Sequence, residues 1–388
     1  MSLATDSASE AIYPLLPFFL THLIGATTVS LGVIEGAAEA TNSLLKIVSG
    51  WLADRTRQER PLILLGYGLS SAIRPLMALA ATAAHVFVVR ILDRTGKGIR
   101  GAPRDAMLST WATPTTRGRV YGLQRGMDHL GAVIGPALAT LFLLVYPRAY
   151  RTLFAWTIVP GAISVVLILF VPSENGGARP PGARTASDEQ VRVRGVSGPV
   201  GLPRRFYLFT GVLVLFTLGN SSDAFLLLRL TDAVGGGPRF VPLMWSALHI
   251  VKASVSIVSG GWSDRVGRRS VIGLGWVTYA IVYAGFALSG SLHALLAWFL
   301  LYGFYFGFAE ATERALVADL APVISRGTAF GIYNAVQGLG ALVASVVFGV
   351  IWRSFGAPAA FGLGSALAII ATLLLFVVVP SRVNVERL

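Results

Sequence analysis

The chain has 388 residues, of which 54% are hydrophobic and only 13% charged, with a mean hydropathy of +0.68. Soluble domains usually carry about 25% charged residues, so this composition excludes an ordinary soluble protein and points to a polytopic membrane protein. The lack of cysteine removes disulfides and thiolate metal sites, and the five histidines are scattered rather than clustered as ligands.

A helix needs roughly 20 apolar residues to cross the hydrocarbon core, and twelve such stretches are predicted. Helix one, at 1–22, carries Asp6 and Glu10 about one turn apart. Helix two, at 28–52, carries Glu35, Glu39, Asn42 and Lys46, a spacing of 4, 3 and 4 that gathers them on one face. It runs into Gly50, Asp54 and Arg55. Helix three is predicted at 61–81. Helix four, at 85–110, is the most charged, with Arg90, Asp93, Arg94, Lys97, Arg100, Arg104 and Asp105. Helix five, at 119–146, carries Gly122, Gly131, Gly135 and Pro136, and its His129, next to Asp128, is of a type that titrates near neutral pH. Helix six is predicted at 152–172. Residues 173–203 are rich in Gly, Pro, Arg and Ser without apolar periodicity, which predicts a flexible linker.

The second series begins with 205–232, carrying Asn220 and Asp223, and 240–262, which runs into Gly260, Asp264, Arg265, Arg268 and Arg269. It continues with 270–289, then 292–318 with Glu310, Glu313 and Arg314, then 327–352 with Asn334 and Gln337, and ends at 357–380. Aromatic residues in this half, Phe225, Trp245, Tyr302, Phe304, Tyr305 and Phe306, suit an organic solute held by stacking or shape.

Only helices and closed barrels satisfy the backbone inside lipid, and these continuous apolar runs lack the alternation of barrel strands. The expected fold is an all-α membrane protein of twelve transmembrane helices. Ile47-Val48-Ser49-Gly50 followed by Asp54-Arg55 recurs 210 residues later as Ile257-Val258-Ser259-Gly260 followed by Asp264-Arg265. Arg117-Gly118, Gly122 and Gly131 recur at an offset of 209 as Arg326-Gly327, Gly331 and Gly340. The expected organisation is therefore an N-terminal six-helix bundle at 1–172, a cytoplasmic linker at 173–203 and a C-terminal six-helix bundle at 204–388. Parallel repeats of this kind place a substrate path between the halves.

Alternating the helices puts seventeen arginines in one set of loops and termini, against four in the other, Arg148, Arg151, Arg239 and Arg353. That bias predicts cytoplasmic termini, with the first helix as insertion signal. It also accounts for the net charge of +13 without a nucleic-acid partner.

These residues resemble the major facilitator superfamily over the whole chain. The family's loop motif Gly-x-Leu-x-Asp-Arg-x-Gly-Arg-Arg is matched at Gly260, Asp264, Arg265, Gly267, Arg268 and Arg269, and in part at Gly50, Leu52, Asp54 and Arg55, where Arg57 replaces the glycine. The aspartate is expected to cap a neighbouring helix and pair with arginine, latching the halves, with the first copy the weaker. Arg90-Ile91-Leu92-Asp93 matches a second motif, although Arg94 stands where the family often has glycine. Gly122, Gly131, Gly135 and Pro136 resemble the antiporter signature, with Ala139 and Thr140 in place of its closing glycines; in the family this motif accompanies export. Ser43-Leu44-Leu45-Lys46, Asp93 to Arg100, Pro103-Arg104-Asp105-Ala106 and Asn220 to Phe225 resemble a bacterial efflux subgroup that includes nickel-resistance permeases, without the histidine-rich tail of its metal-exporting members.

The resemblance implies a secondary transporter of a small solute, a monomer in a bacterial inner membrane. The leading expectation is a proton-coupled exporter using Asp6 and Glu10, with Glu35, Glu39 and Asp93 as further proton candidates. Arg94, Lys97, Arg100, Asn220, Asp223, Glu310, Glu313, Asn334 and Gln337 are the expected substrate residues. Import of an organic anion or metal chelate on the helix-four cations is the alternative, and a transport-inactive sensor or assembly protein is a third. Enzymatic or nucleotide-driven activity is not expected, because Gly96-Lys97-Gly98 lacks the rest of a phosphate-binding loop, and neither cofactor nor bound metal is called for. Asp6 lies so near the start that roughly ten further upstream residues are expected for a full span.

Overall fold

The computed structural model describes residues 1–16, 19–26, 28–56, 58–171, 201–223, 225–227, 229–230 and 241–379. Most of the predicted linker, Arg57 and the C-terminal segment beyond 379 lie outside the described residues. All regular structure among the described residues is helical. We number the spans α1 (Ser2–Ile12), α2 (Thr28–Thr56), α3 (Glu59–Ile73), α4 (Ala83–Trp111), α5 (Arg117–Val145) and α6 (Tyr150–Trp156 and Ile158–Leu169) in the first bundle. The second has α7 (Arg204–Gly219), α8 (Val241–Val266), α9 (Arg268–Leu288), α10 (Leu292–Leu320), α11 (Arg326–Phe355) and α12 (Ala357–Val378). Among the described residues, seven helical segments are long and apolar enough to cross a membrane on length and composition alone; α2 and α4 are not among them, because charges interrupt their apolar windows.

Local chemistry sets the ends and breaks. Thr82 accepts the His85 N–H at the start of α4, and Ser291 accepts that of Ala294 at the start of α10. Gly267 and Gly356 make the tight α8–α9 and α11–α12 turns at φ +102° and +86°. Pro14 and Pro75 fall where α1 and α3 give way to 3₁₀ turns at Tyr13–Leu15 and Arg74–Leu79. The predicted helix at 205–232 is interrupted: α7 stops at Gly219, and helix resumes at 225–227 and 229–230. Side chains satisfy the freed backbone there, Tyr279 donating to the Gly219 carbonyl and the Ser222 N–H donating to Ser345.

Small residues bring the helices together. A Cβ added at Gly66 would lie 2.6 Å from the Gly96 carbonyl, and one at Gly98 2.9 Å from that of Asn42, so α4 seats closely on α3 and α2. The two extensive seams between bundles are α5 on α8 and α2 on α11. Inside, the bundles differ. The second is packed with rings, including Phe216 stacked on Trp276 at 4.4 Å and Tyr279 on Tyr283 at 4.1 Å. The first buries Arg74, Arg90, Asp93 and Arg100 instead.

Candidate functional site

The bundles are locked at the end where the arginine-rich loops gather. Asp54 at the end of α2 accepts the N–H groups of Gly327 and Thr328 at 2.7 and 2.6 Å, capping α11. Asp264 at the end of α8 accepts those of Gly118 and Arg119, both at 2.9 Å, capping α5. A carboxylate at a helix N-terminus meets unpaired donors and the positive end of the dipole. Glycine makes the approach possible: a side chain at Gly50 would strike the Gly327 carbonyl, and one at Gly260 that of Gly118.

Capping is as close in the first copy as in the second. The copies differ in arginine. Arg268 pairs with Asp264 at 2.5 Å and with Asp319 at 3.1 Å, and Asp319 pairs with Arg117 at 2.5 Å. That chain joins α5, α8, α9 and α10. In the first repeat the positions of Arg268 and Asp319 hold Gln58 and Thr110. Arg55 and Arg265 are exposed at this end, and Arg269 donates to the Phe376 and Val379 carbonyls, fastening α12 rather than joining the bundles.

Deeper in, Asp105 of α4 pairs with Arg314 of α10, residues at equivalent positions of the two repeats at the 209 offset. Arg104 also reaches Asp105, at 3.3 Å. Among the described residues, the last polar tie between bundles, moving away from the basic end, is His129 of α5 to Glu310 of α10 at 3.2 Å, with the His129 and His249 rings 5.3 Å apart. Beyond it α5 turns to its own bundle. A Cβ at Gly131 would lie 2.7 Å from the Leu3 carbonyl, and one at Gly135 would strike that of Ser7. The glycine motif therefore serves two partners, with Gly122 on α8 and Gly131 and Gly135 on α1; Pro136 leaves α5 continuous and its carbonyl accepts Thr140.

On the first bundle's wall, Arg90 grips Glu35 with two bonds, at 2.8 and 2.6 Å. Asp93 is held by Arg74 at 2.9 Å, with Arg90 at 3.9 Å. Arg100 turns away from the gap, donating to Ser70 and lying 4.5 Å over the Tyr67 ring. Arg94 has Glu39, Asp93 and Glu35 as acidic neighbours. Glu39 is exposed, accepts Asn42 at 2.8 Å and lies beside Gly338 of α11. Asp6 sits against Gly131, half-way along α5, and its carboxyl faces that of Asp128 within hydrogen-bonding reach, with Lys97 close by. Arg125 and Gln124 also hold Asp128, at 3.1 and 2.7 Å. Glu10 is half-buried a turn further along, near Tyr13.

On the second wall, Asp223 lies in the break after α7, taking Lys252 at 3.3 Å and the Tyr302 hydroxyl at 2.8 Å, and Asn220 donates to Tyr305 at 3.0 Å. Glu313 and Asn334 are buried, and Gln337 is half-buried beside them. Glu313 accepts Trp276, Tyr333 and Gln337 at 2.8 to 3.0 Å, and Asn334 accepts Arg314. In three of these pairs the acid is the more accessible partner: 28% for Glu35 against 6% for Arg90, 21% for Asp223 against 4% for Lys252, and 27% for Glu310 against 10% for His129.

Arg74, Lys252 and Asp319 are prominent in this arrangement but absent from the sequence-derived candidates. Arg74 and Lys252 are single cations in apolar stretches, and the cost of burying a charge in a membrane marks both.

Two parallel six-helix bundles, locked at one end and carrying paired charges between them, define a membrane transport protein. The model of the Major Facilitator Superfamily matches residues 1–231 and 208–387, and the chain belongs to that family. It is 32% identical to an uncharacterised MFS-type transporter of Methanocaldococcus jannaschii over 96% of this chain and 92% of that one. It is 24% identical to the multidrug resistance protein MdtH of Aeromonas hydrophila over 88% and 83% of the two chains. Among solved structures, the human organic anion transporter MFSD10 superposes with a TM-score of 0.78 at 19% identity over 96% of each chain.

Proposed function

We propose that this transporter is a proton-coupled exporter of a small solute, seen here with its cytoplasmic end closed and its path open to the exterior. The arginine bias supports taking the latched end as cytoplasmic. The observation that carries the coupling is the facing pair Asp6 and Asp128 between α1 and α5. Two facing carboxyls are mutually satisfied when a proton lies between them, and Lys97 and Arg125 stand ready to compete for the ionised groups. Opening the closed end draws α5 from α8 and breaks the His129–Glu310 tie next to Asp128, which changes the charge around that proton. Glu10 extends the same path along α1, and Asp93, clasped by Arg74 and Arg90, acts as a fixed anchor. The relative named as a multidrug resistance protein is consistent with export.

The test is proton flux in proteoliposomes holding an internal pH dye, challenged with nickel, cobalt, cationic dyes and organic anions. Solute-dependent flux that disappears in both Asp6→Asn and Asp128→Asn is expected. Full flux in either variant overturns the proton site. The cations Arg94 and Lys97 favour a second reading, organic-anion import, and flux driven by organic anions alone, abolished in Lys97→Met, would establish it.

A further inference from the structure

The second bundle contains a cation cage that its own lysine fills. The Lys252 ammonium lies 3.5 Å from the centroid of Phe306, 5.4 Å from that of Trp245 and 5.9 Å from that of Tyr302. Asp223 closes the cage at 3.3 Å and is itself fixed by the Tyr302 hydroxyl. Ring faces and one carboxylate around an ammonium are the chemistry by which proteins recognise organic cations. The first bundle has no copy, since the positions of Lys252 and Phe306 hold Asn42 and Lys97.

The cage stands at the level where contact between the bundles ends. Trp245 lies tilted against His249 at 4.8 Å, the His249 ring meets His129 of the other bundle, and Glu310 lies one helical turn beyond Phe306. At this wall a solute meets the carboxylates of Asp223 and Glu310, 21% and 27% accessible, while Lys252 is 4% accessible behind its acid. An anion finds acids in front of the cation it needs. A cation finds acids, and rings on either side.

Resting on the reading of the cleft as a solute path, we propose that the substrate is an organic cation with an aromatic or bulky apolar body, which binds by replacing the Lys252 ammonium among Asp223, Phe306 and Trp245. Lys252 is then a tethered competitor. It neutralises the site when empty and is displaced on a flexible stem when substrate enters.

The experiment is equilibrium binding of tetraphenylphosphonium to the purified full-length protein, with benzoate as the anionic probe. Lys252→Met removes the competitor and is expected to tighten tetraphenylphosphonium binding by roughly tenfold or more. Asp223→Asn and Phe306→Ala weaken it, and benzoate does not compete. Unchanged or weaker binding in Lys252→Met, or benzoate binding that requires Lys252, overturns the proposal. Should Lys252→Met fail to fold, the rings decide: Phe306→Ala must lose affinity while Leu300→Ala, at an exposed position of the same helix, must keep it. Because binding is read without proton flux, tetraphenylphosphonium binding with no coupled flux sinks proton coupling alone. Flux driven only by benzoate and kept in Lys97→Met sinks the cation assignment alone.

Discussion

Replacing Asp264 with alanine is expected to release the closed end of the transporter. Asp264 supplies the only side-chain cap on α5 among the described contacts, two N–H bonds at 2.9 Å, and an ion pair to Arg268 at 2.5 Å. Arg268 is not orphaned by the change, because Asp319 at 3.1 Å and the Pro114 carbonyl at 2.9 Å still hold it. The Arg119 N–H is exposed and regains water. The net loss is therefore the charge-assisted bonds themselves, about 2–3 kcal/mol, rather than a buried unpaired charge. If the open form makes neither contact, the closed-to-open ratio falls roughly 30- to 150-fold. The chain contains no cysteine, so a single introduced thiol reports the change cleanly. Ser256 is fully buried, and its carbonyl lies where a side chain at Gly122 would intrude, at the α5–α8 seam. Ser256→Cys should react slowly with maleimide in the parent and many-fold faster with Asp264→Ala. Labelling that stays slow in both Asp264→Ala and Asp54→Ala would refute the assignment of these aspartates as the latch.

Other expectations follow from the same contacts. Arg268→Gln converts the second latch to the pattern of the first, cutting the chain to Asp319, and should raise Ser256→Cys labelling less than Asp264→Ala does. Asp105→Ala strands Arg314 in the interior, a loss of about 3–5 kcal/mol that should appear as a clear drop in Tm, and adding Arg314→Leu should recover part of it. Asp93→Asn takes the charge from between Arg74 and Arg90 and should likewise lower Tm, whereas Glu35→Gln, at a partly exposed pair, should lower it less. Gly260→Val drives a side chain into the Gly118 backbone and should open the seam without altering any charge.

Periodicity and composition were sufficient for an all-helical membrane fold, because lipid leaves the backbone no other solution for continuous apolar runs. The 209- and 210-residue offsets were sufficient for the two related halves, and they pointed correctly to the equivalence of α5 and α11. That the glycines at 50, 118, 260 and 327 are places of close approach is a finding of the structure, where each leaves room for a neighbouring backbone. The interruption of α7 was hidden, because Asn220, Ser221 and Ser222 break a helix only where Tyr279 and Ser345 stand ready to bond the freed groups. Charge pairing was equally illegible. The helical period puts Arg94, Lys97, Arg100 and Arg104 on one side of α4, yet Arg100 turns to Tyr67 and Ser70, and Asp105 finds Arg314 more than 200 residues away. Sequence alone states which charges must be buried. Which partner each one meets depends on distances between helices that no local pattern encodes, so only the tertiary structure decides that Asp6 faces Asp128 and that Lys252 lies among rings.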